Sequence, residues 1–364
     1  MRNEMFLSMG VRFLCNVEAL NMVESIGNLS KHRKAPIVVP MADGFRLLYV
    51  PAISGESLGH AYQQAIVEEA INLYGEKAPL DEWSKRGEFI KFGDLKHMPE
   101  ELSSIMKTKS GKKEEETVEQ KHLVEKTALK LSIVADIGGF LIAEGVPVKR
   151  TSCFQIGYAV PVFDALESTA MESQFHVRYV ASETMKQEES QEGVEEKNQA
   201  KTGKERQGQA IYYVELASAV YGFTFNINLD LIGRTSMVKV EDAVNDRLDR
   251  VKIALLAAAR LFTGHSFGAK RSRFLPVEDV LSLGAVVSRQ RPFVISPPQF
   301  SDFVENTVKR AQSLQQMLRR FGKTEEMKIF AYSKEKQLPD GVVKADSVEQ
   351  LFTLVLDEIL TSRT

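Results

Sequence analysis

The chain has 364 residues, 43% apolar and 26% charged, enough for one large core or two ordinary domains. A formal net charge of −2 excludes a bulk polycation, so any nucleic-acid surface has to be a local patch. No apolar run approaches the ~20 residues that span a bilayer; residues 1–10 lack the basic start and apolar centre of a secretion signal, and Cys15 and Cys153 have no CxxC spacing. The expectation is a cytoplasmic protein with two buried thiols and no membrane contact.

In chain order, Val11, Phe13, Cys15 and Val17 share one face of a predicted strand over residues 11–18. A polar stretch follows at 24–34. Runs 36–40 and 45–51 flank Asp43-Gly44 and predict a hairpin. Leu58, Tyr62, Ala65, Ile66, Ala70 and Leu73 recur at helical spacing, with Ser54 or Ser57 as cap and Gly75 as stop. The pattern weakens from 77 to 126, where 107–119 is a run of Lys, Glu, Ser and Gly: an inserted lobe with a solvated tip. A second such run, 182–209, has strands on both sides and predicts a long flexible loop. Residues 223–231 alternate apolar and polar, the pattern of a half-covered antiparallel sheet. The spacing then predicts a helix over 240–262 with Val244, Leu248, Val251 and Leu255 buried, and a strand over 280–288. Two further helices are expected, at 301–322 and after the capping box Ser347-Val348-Glu349-Gln350.

Strand, helix, strand, strand, helix, strand is the skeleton, with large insertions. It predicts an α+β, ferredoxin-like fold whose open polar sheet face resembles the platform of RNA-recognition folds.

Four segments could carry chemistry. Residues 25–34 place Lys31, His32, Arg33 and Lys34 among Asn28 and small polar residues, a composition that grips phosphates; an ordinary basic loop reads the same way. Residues 51–57 run a strand end into a helix start at Ser54, an anion site or a plain cap. Lys149-Arg150 and His176 with Arg178 put cations beside rings or hydroxyls, as single-strand binding uses and as solvated faces also show. Residues 264–273 combine two glycines with His265, Lys270, Arg271 and Arg273; the Lys lacks the following Ser/Thr of a P-loop, and a basic C-cap turn is the alternative. Catalysis has little support. The six histidines are scattered, no metal or cofactor spacing and no nucleophile motif occur, and Asp242 with Asp246 reads as helix-start charge.

The chain resembles the DevR-type CRISPR-associated family, the backbone (RAMP) subunit of archaeal type I-A Cascade complexes. The residues that carry the resemblance are Val11-Arg12-Phe13, Val23 to Leu29, Lys31-His32-Arg33 and Tyr49-Val50-Pro51 with Ser54-Gly55-Glu56. Further along come Phe89 to Phe92, Val134 to Phe140, Val148 to Ser152, Ser173 to His176 and Asp230 to Ser236. The resemblance implies an RNA-recognition-like palm with inserted lobes and a thumb hairpin, here 161–213. It implies divisions at 1–76, 77–130, 131–160, 161–213, 214–300 and 301–364. It implies a non-catalytic subunit that lines CRISPR guide RNA in a filament of copies, presents it to a target DNA strand and meets other Cascade subunits, with no cofactor. Guide-RNA contacts are then expected at Asn28, Lys31, His32, Arg33, Ser54, Lys149, Arg150, His176, Lys270, Arg271 and Arg273. Runs 107–122 and 182–209 are longer than the family pattern, so no contacts carry over to them. No Asp or Glu stands between Ser25 and Lys34, where RNA-cutting relatives place an acid. The alternatives are a repeat-processing endoribonuclease using His32 or His265, and a DNA-binding regulator, for which no basic helix-turn-helix is visible.

Overall fold

A computed structural model describes residues 5–106, 114–180, 208–263 and 267–361. In chain order, β1 (Phe6–Glu18), β2 (Met22–Ile26), β3 (Leu29–His32), β4 (Lys34–Met41) and β5 (Gly44–Pro51) precede α1 (Gly55–Tyr74). Next come α2 (Glu82–Lys85), α3 (Glu100–Met106), α4 (Glu114–Leu131) and α5 (Ile133–Gly138). After them stand β6 (Phe140–Ile142), β7 (Val148–Arg150), β8 (Phe154–Ile156), β9 (Val160–Pro161), β10 (Ala170–Val180) and β11 (Gly208–Asn228). α6 (Arg247–Thr263), β12 (Val277–Ser288), α7 (Phe303–Arg320), β13 (Met327–Ser333), β14 (Val343–Lys344) and α8 (Val348–Thr361) follow.

The fold is α+β around a mixed sheet ordered β14-β13-β12-β1-β11-β3-β2, with β8, β9 and β10 also pairing along β11. β1 is central: Phe6 to Cys15 pair with Asn228 to Ala219 of β11, and its other edge pairs antiparallel with β12. The alternation read from the sequence sets which face is buried. Leu7, Met9, Val11, Phe13, Phe223, Phe225 and Ile227 form one apolar face with Tyr62 and Ile66 of α1, Val251 and Phe262 of α6, and Leu351 and Val355 of α8. Phe225 lies against Tyr62, Phe154 and Phe262 with ring centroids 5.0 to 6.2 Å apart, so truncating it to Ala costs about 3–5 kcal/mol.

α1 starts where predicted, with Ser54 Oγ accepting the Ser57 N–H, and ends at Gly75 with φ 60°. Leu73, however, is half exposed. The predicted β-hairpin is β4–β5, in register from Lys34↔Pro51 to Met41↔Gly44. Ser347 caps α8 as expected, its Oγ accepting the Gln350 N–H at 3.1 Å, but the Gln350 Oε1 accepts from the Asp346 N–H rather than from Ser347, so the box is only half formed. A small second core joins α3 and α4 to β6, β7 and Ala243-Val244. Both cysteines are buried; burial pushes the Cys153 thiol up to about 12.

Two expectations are corrected. The polar sheet face is not an open platform at its centre. Phe293, Ile295, Phe303, Val304 and Val308 pack there against Val286, Ile329 and Ala331. The polar residues of that face are short or paired. Ser8 Oγ donates to Asn226 Oδ1 at 2.6 Å and accepts from Ile295 N, while buried Arg12 donates to Asp164, Glu335 and the Pro298 carbonyl. A Cβ at Gly284 would stand 2.8 Å from Ile295 and 3.1 Å from Phe303, so glycine is what lets α7 approach. The second correction concerns α6, which begins at Arg247 rather than near residue 240. Ala243 and Val244 serve the lobe core instead, and Leu248 is exposed. β13 and β14, between the last two helices, were not anticipated; seven residues are short for a periodicity signal.

Candidate nucleic-acid interface

Three of the four singled-out segments meet at one edge of the sheet. The β2–β3 turn, with Gly27 at φ 59°, brings Asn28 against β11: Tyr213 N–H donates to the Asn28 carbonyl and Asn28 Nδ2 donates to the Ile211 carbonyl. β3 then pairs parallel with β11 at Leu29↔Tyr213 and Ser30↔Val214. The basic turn after α6 lies over β3. Lys270, itself at φ 56°, donates from Nζ to Ser30 Oγ at 2.9 Å. Gly268 makes that approach possible: at φ +107° a Cβ would sit 2.7 Å from Leu20 Cδ2 and 2.9 Å from Leu20 Cα. Partial burial and the neighbouring Arg273 charge lower the Lys270 pKa, the behaviour of a cation held without an acid.

Aromatic rings complete the surface. Arg273 donates to Tyr212 Oη at 2.6 Å, its guanidinium 5.8 Å from the ring centroid. Tyr212 stacks on His176 of β10 at 5.2 Å and 21°, and His176 meets Phe274 edge-on at 5.4 Å. Lys31 and Arg33 are half buried, and Asn28 and Arg273 exposed, on the same elements. Buried polar nitrogens are normally paired. Among the described residues, Arg33 Nε, Arg271 Nε and His176 Nε2 are buried with no hydrogen-bond partner. Of the other three such atoms, His32 Nε2 faces the Glu18 carboxylate at 2.6 Å, and His122 Nδ1 and Ser288 Oγ lie on α4 and β12.

Three expected contacts turn inward and are revised. His32 is buried, its Nε2 2.6 Å from Glu18 Oε1, which also accepts from Tyr221 Oη at 2.7 Å. Burial alone would lower its pKa, but the hydrogen bond and charge of Glu18 raise it. Ser54 is buried as the cap of α1. Arg150 is buried around Asp136, donating to Asp136 Oδ1 at 2.6 Å and to the Leu231 and Arg234 carbonyls at 2.7 and 2.6 Å. Arg250 and the Gly233 N–H complete the cage on Asp136 at 2.9 Å. The segments 134–140, 148–152 and 230–236 thus meet over one buried carboxylate, as a brace between helical lobe and sheet. Lys149, exposed on the separate β6–β7 pair, is not brought to the sheet-edge surface.

Sequence reasoning missed Tyr212, Ser30 and Phe274. The signal for Tyr212 was Tyr212-Tyr213 closing the charged run, with one ring on each face of β11 and Phe175 against Tyr213 at 5.5 Å. Residues 107–113, 181–207 and 264–266, including His265, lie outside the described residues. No group of three or more His, Cys, Asp or Glu that could hold a metal ion occurs among the described residues, nor any helix long and apolar enough to cross a membrane.

The features define an α+β protein with a cationic, ring-lined edge assembled from three distant chain segments. The chain belongs to the DevR/Csa2 family: residues 9–308 match the family described as "CRISPR-associated negative auto-regulator DevR/Csa2". The resemblance carried by the sequence motifs is therefore borne out. A CRISPR-associated aCascade subunit Cas7/Csa2 of Saccharolobus solfataricus is 38% identical over 310 residues, 84% of this chain and 86% of its own length. A CRISPR-associated protein Cas7/Cst2/DevR of Thermoproteus tenax is 26% identical over 359 residues, 96% of this chain and 94% of its own. Among solved structures, a chain of a "CRISPR RNA-guided surveillance complex, pre-nicking" aligns with 97% of this chain and 99% of that one at TM-score 0.48 and 14% identity.

Proposed function

We propose that the chain is a non-catalytic guide-RNA-binding backbone subunit of a CRISPR surveillance complex of the Cascade kind. The observation that carries the reading is the convergence of Arg33 Nε, Arg271 Nε and His176 Nε2, buried and unpartnered, on one surface with Lys270, Arg273 and Tyr212. Phosphate oxygens supply the missing acceptors for the two guanidiniums, and an unstacked base adds to the Tyr212–His176 stack. Asn28, Lys31, Arg33, His176, Lys270, Arg271 and Arg273 form the proposed contact set, with Lys149 as an outlying contact. Guide–target pairing then reads sequence while the protein holds backbone and shape.

The finer fold reading goes with this. β1, α1, β8, β11, α6 and β12 follow one another with sheet order β12-β1-β11-β8, every neighbour antiparallel. That is two interleaved βαβ units, a ferredoxin-like palm. Residues 161–213 are the proposed thumb, since β10 and β11 pair from Ala170↔Ser218 to Val180↔Gly208. Its proposed partners are guide RNA, the paired DNA strand, neighbouring copies and other Cascade subunits.

The test is fluorescence anisotropy with single-stranded CRISPR RNA across a salt series, comparing wild type with Lys270→Ala and Arg273→Ala. Each variant is expected to bind more weakly, with the log–log salt slope reduced by ~0.7 per lost phosphate contact, and the RNA to be recovered intact. Unchanged binding in both variants, or cleaved RNA, sinks the reading.

A further inference from the structure

The β4–β5 hairpin is a two-stranded sheet joined to no other strand. Its register puts Pro36 opposite Tyr49, Val38 opposite Leu47 and Pro40 opposite Phe45, so these six side chains share one face. All six are exposed: Phe45 by 81%, Tyr49 by 71%, and Val38 and Leu47 each by 58%. The opposite face is different. Val39 and Val50 are buried, and Ile37 and Leu48 half buried, so the hairpin is seated on the body by one side and bare on the other. Two-stranded hairpins are marginal in water, and a bare apolar face of this kind marks a contact surface.

The form of that contact can be narrowed. Pro36 and Pro40 offer no N–H along the free edge of β4, which blocks strand addition there and leaves face packing. The six side chains carry no charge, whereas a phosphate backbone demands cations. Their exposed area is on the order of 600 Å², below the ~800 Å² per side of a standard stable interface. Such a contact is weak in free solution and becomes effective when something else holds the partners together.

The root of the hairpin says what that something is. Arg33 immediately precedes β4, and its carbonyl accepts from Ala52 N–H at 3.0 Å, closing both ends of the hairpin at the cationic edge. Whatever covers the bare face therefore lies beside the path of the RNA. We propose that the exposed face of the β4–β5 hairpin docks onto a second copy of this chain when two copies sit side by side on one RNA strand. The proposal rests on the RNA-binding reading above and adds the surface through which copies touch.

The experiment compares wild type, the double variant Phe45→Glu/Leu47→Glu, and Phe321→Glu, which removes an equally exposed ring elsewhere (72%). Binding is measured on an RNA too short for two copies and on one several times longer, and complex mass by sedimentation. Self-association is measured without RNA at high protein concentration. The double variant is expected to keep wild-type affinity for the short RNA. On the long RNA it loses on the order of tenfold or more in affinity, together with cooperativity. It also loses the weak RNA-free self-association, while Phe321→Glu behaves as wild type. Wild-type assembly by the double variant overturns the proposal, as does loss of short-RNA binding, which makes RNA the occupant. The RNA-free arm separates the two readings. If wild type binds no RNA yet self-associates through Phe45 and Leu47, the docking surface stands and the RNA reading falls.

Discussion

Lys149 and Arg150 are adjacent cations in one motif, and the structure gives them opposite fates. Replacing Arg150 by Ala removes the guanidinium that meets Asp136 at 2.6 Å with both side chains essentially inaccessible. Asp136 keeps Arg250 and the Gly233 N–H. Glu125 loses a cation 3.7 Å away but keeps its Ser236 and Met237 donors, the Leu231 carbonyl keeps the Arg234 N–H, and the Arg234 carbonyl loses the Arg150 donor. Breaking a buried pair from one side costs about 3–5 kcal/mol. For one cooperative unit of this length, with an unfolding entropy near 2.1 cal/mol/K per residue, that lowers Tm by roughly 4–7 °C. Lys149→Ala, on the exposed side of the same strand, is expected to move Tm by less than about 1 °C. Differential scanning calorimetry of the two variants under one buffer decides it. Equal Tm values for Arg150→Ala and Lys149→Ala would refute the brace and return Arg150 to the RNA-facing set.

Three further outcomes are expected. His32 has its pKa raised by Glu18 against the opposing effect of burial. Its stabilisation is therefore complete below the ordinary histidine value near 6.5 and is lost as pH rises through the folded value. Urea midpoints from pH 6 to 9 should fall in a step that His32→Gln lacks, and parallel curves would dismiss the ion pair. Tyr212→Ala removes the ring between His176 and Arg273 and should weaken RNA binding by about 1–3 kcal/mol. An RNA affinity matching wild type would remove the ring from the site. Gly268→Ala forces a Cβ at φ +107° to within 2.7 Å of Leu20. It should destabilise by about 1–3 kcal/mol and weaken RNA binding with it, read by thermal melting alongside anisotropy.

Legibility followed the range of the signal. The Phe223 to Ile227 alternation and the Ser54 and Gly75 ends of α1 are local and formed as read; the hairpin formed too, with its turn at Ala42-Asp43 and Gly44 opening β5 opposite Met41. What failed depends on distant chain. The sheet's polar face reads as solvent-facing until α7, nearly three hundred residues after β1, folds over Ser8 and Gly284. Val244 and Leu248 fit a helical stripe, but Arg234, pairing Asp242 at 2.8 Å, holds residue 242 outside the helix. The same limit splits the candidate site. Composition identifies a basic run but not which cations find acids, and His32 and Arg150 find theirs 14 residues away along the chain.

That sorting accounts for how a chain of net charge −2 can present a cationic surface. Inside the fold, Arg12, Arg150 and Arg250 are each matched to carboxylates, and around the helical lobe Lys126 and His122 share Glu241. On the outer side of the β3–β11 edge, beyond the buried His32–Glu18 pair, the cations of the turn after α6 are held differently. Lys270 and Arg273 donate to hydroxyls, Ser30 and Tyr212, which hold a cation in place without neutralising it. A neutral partner fixes geometry while leaving the field outward, and an ion pair would cancel it. The hydroxyl-for-carboxylate choice at Ser30 and Tyr212 therefore distinguishes the proposed binding surface from the buried braces of the fold. It also makes the proposed surface sensitive to a single change: Ser30→Asp would supply Lys270 with an acid and remove its charge from the proposed RNA path without disturbing the turn.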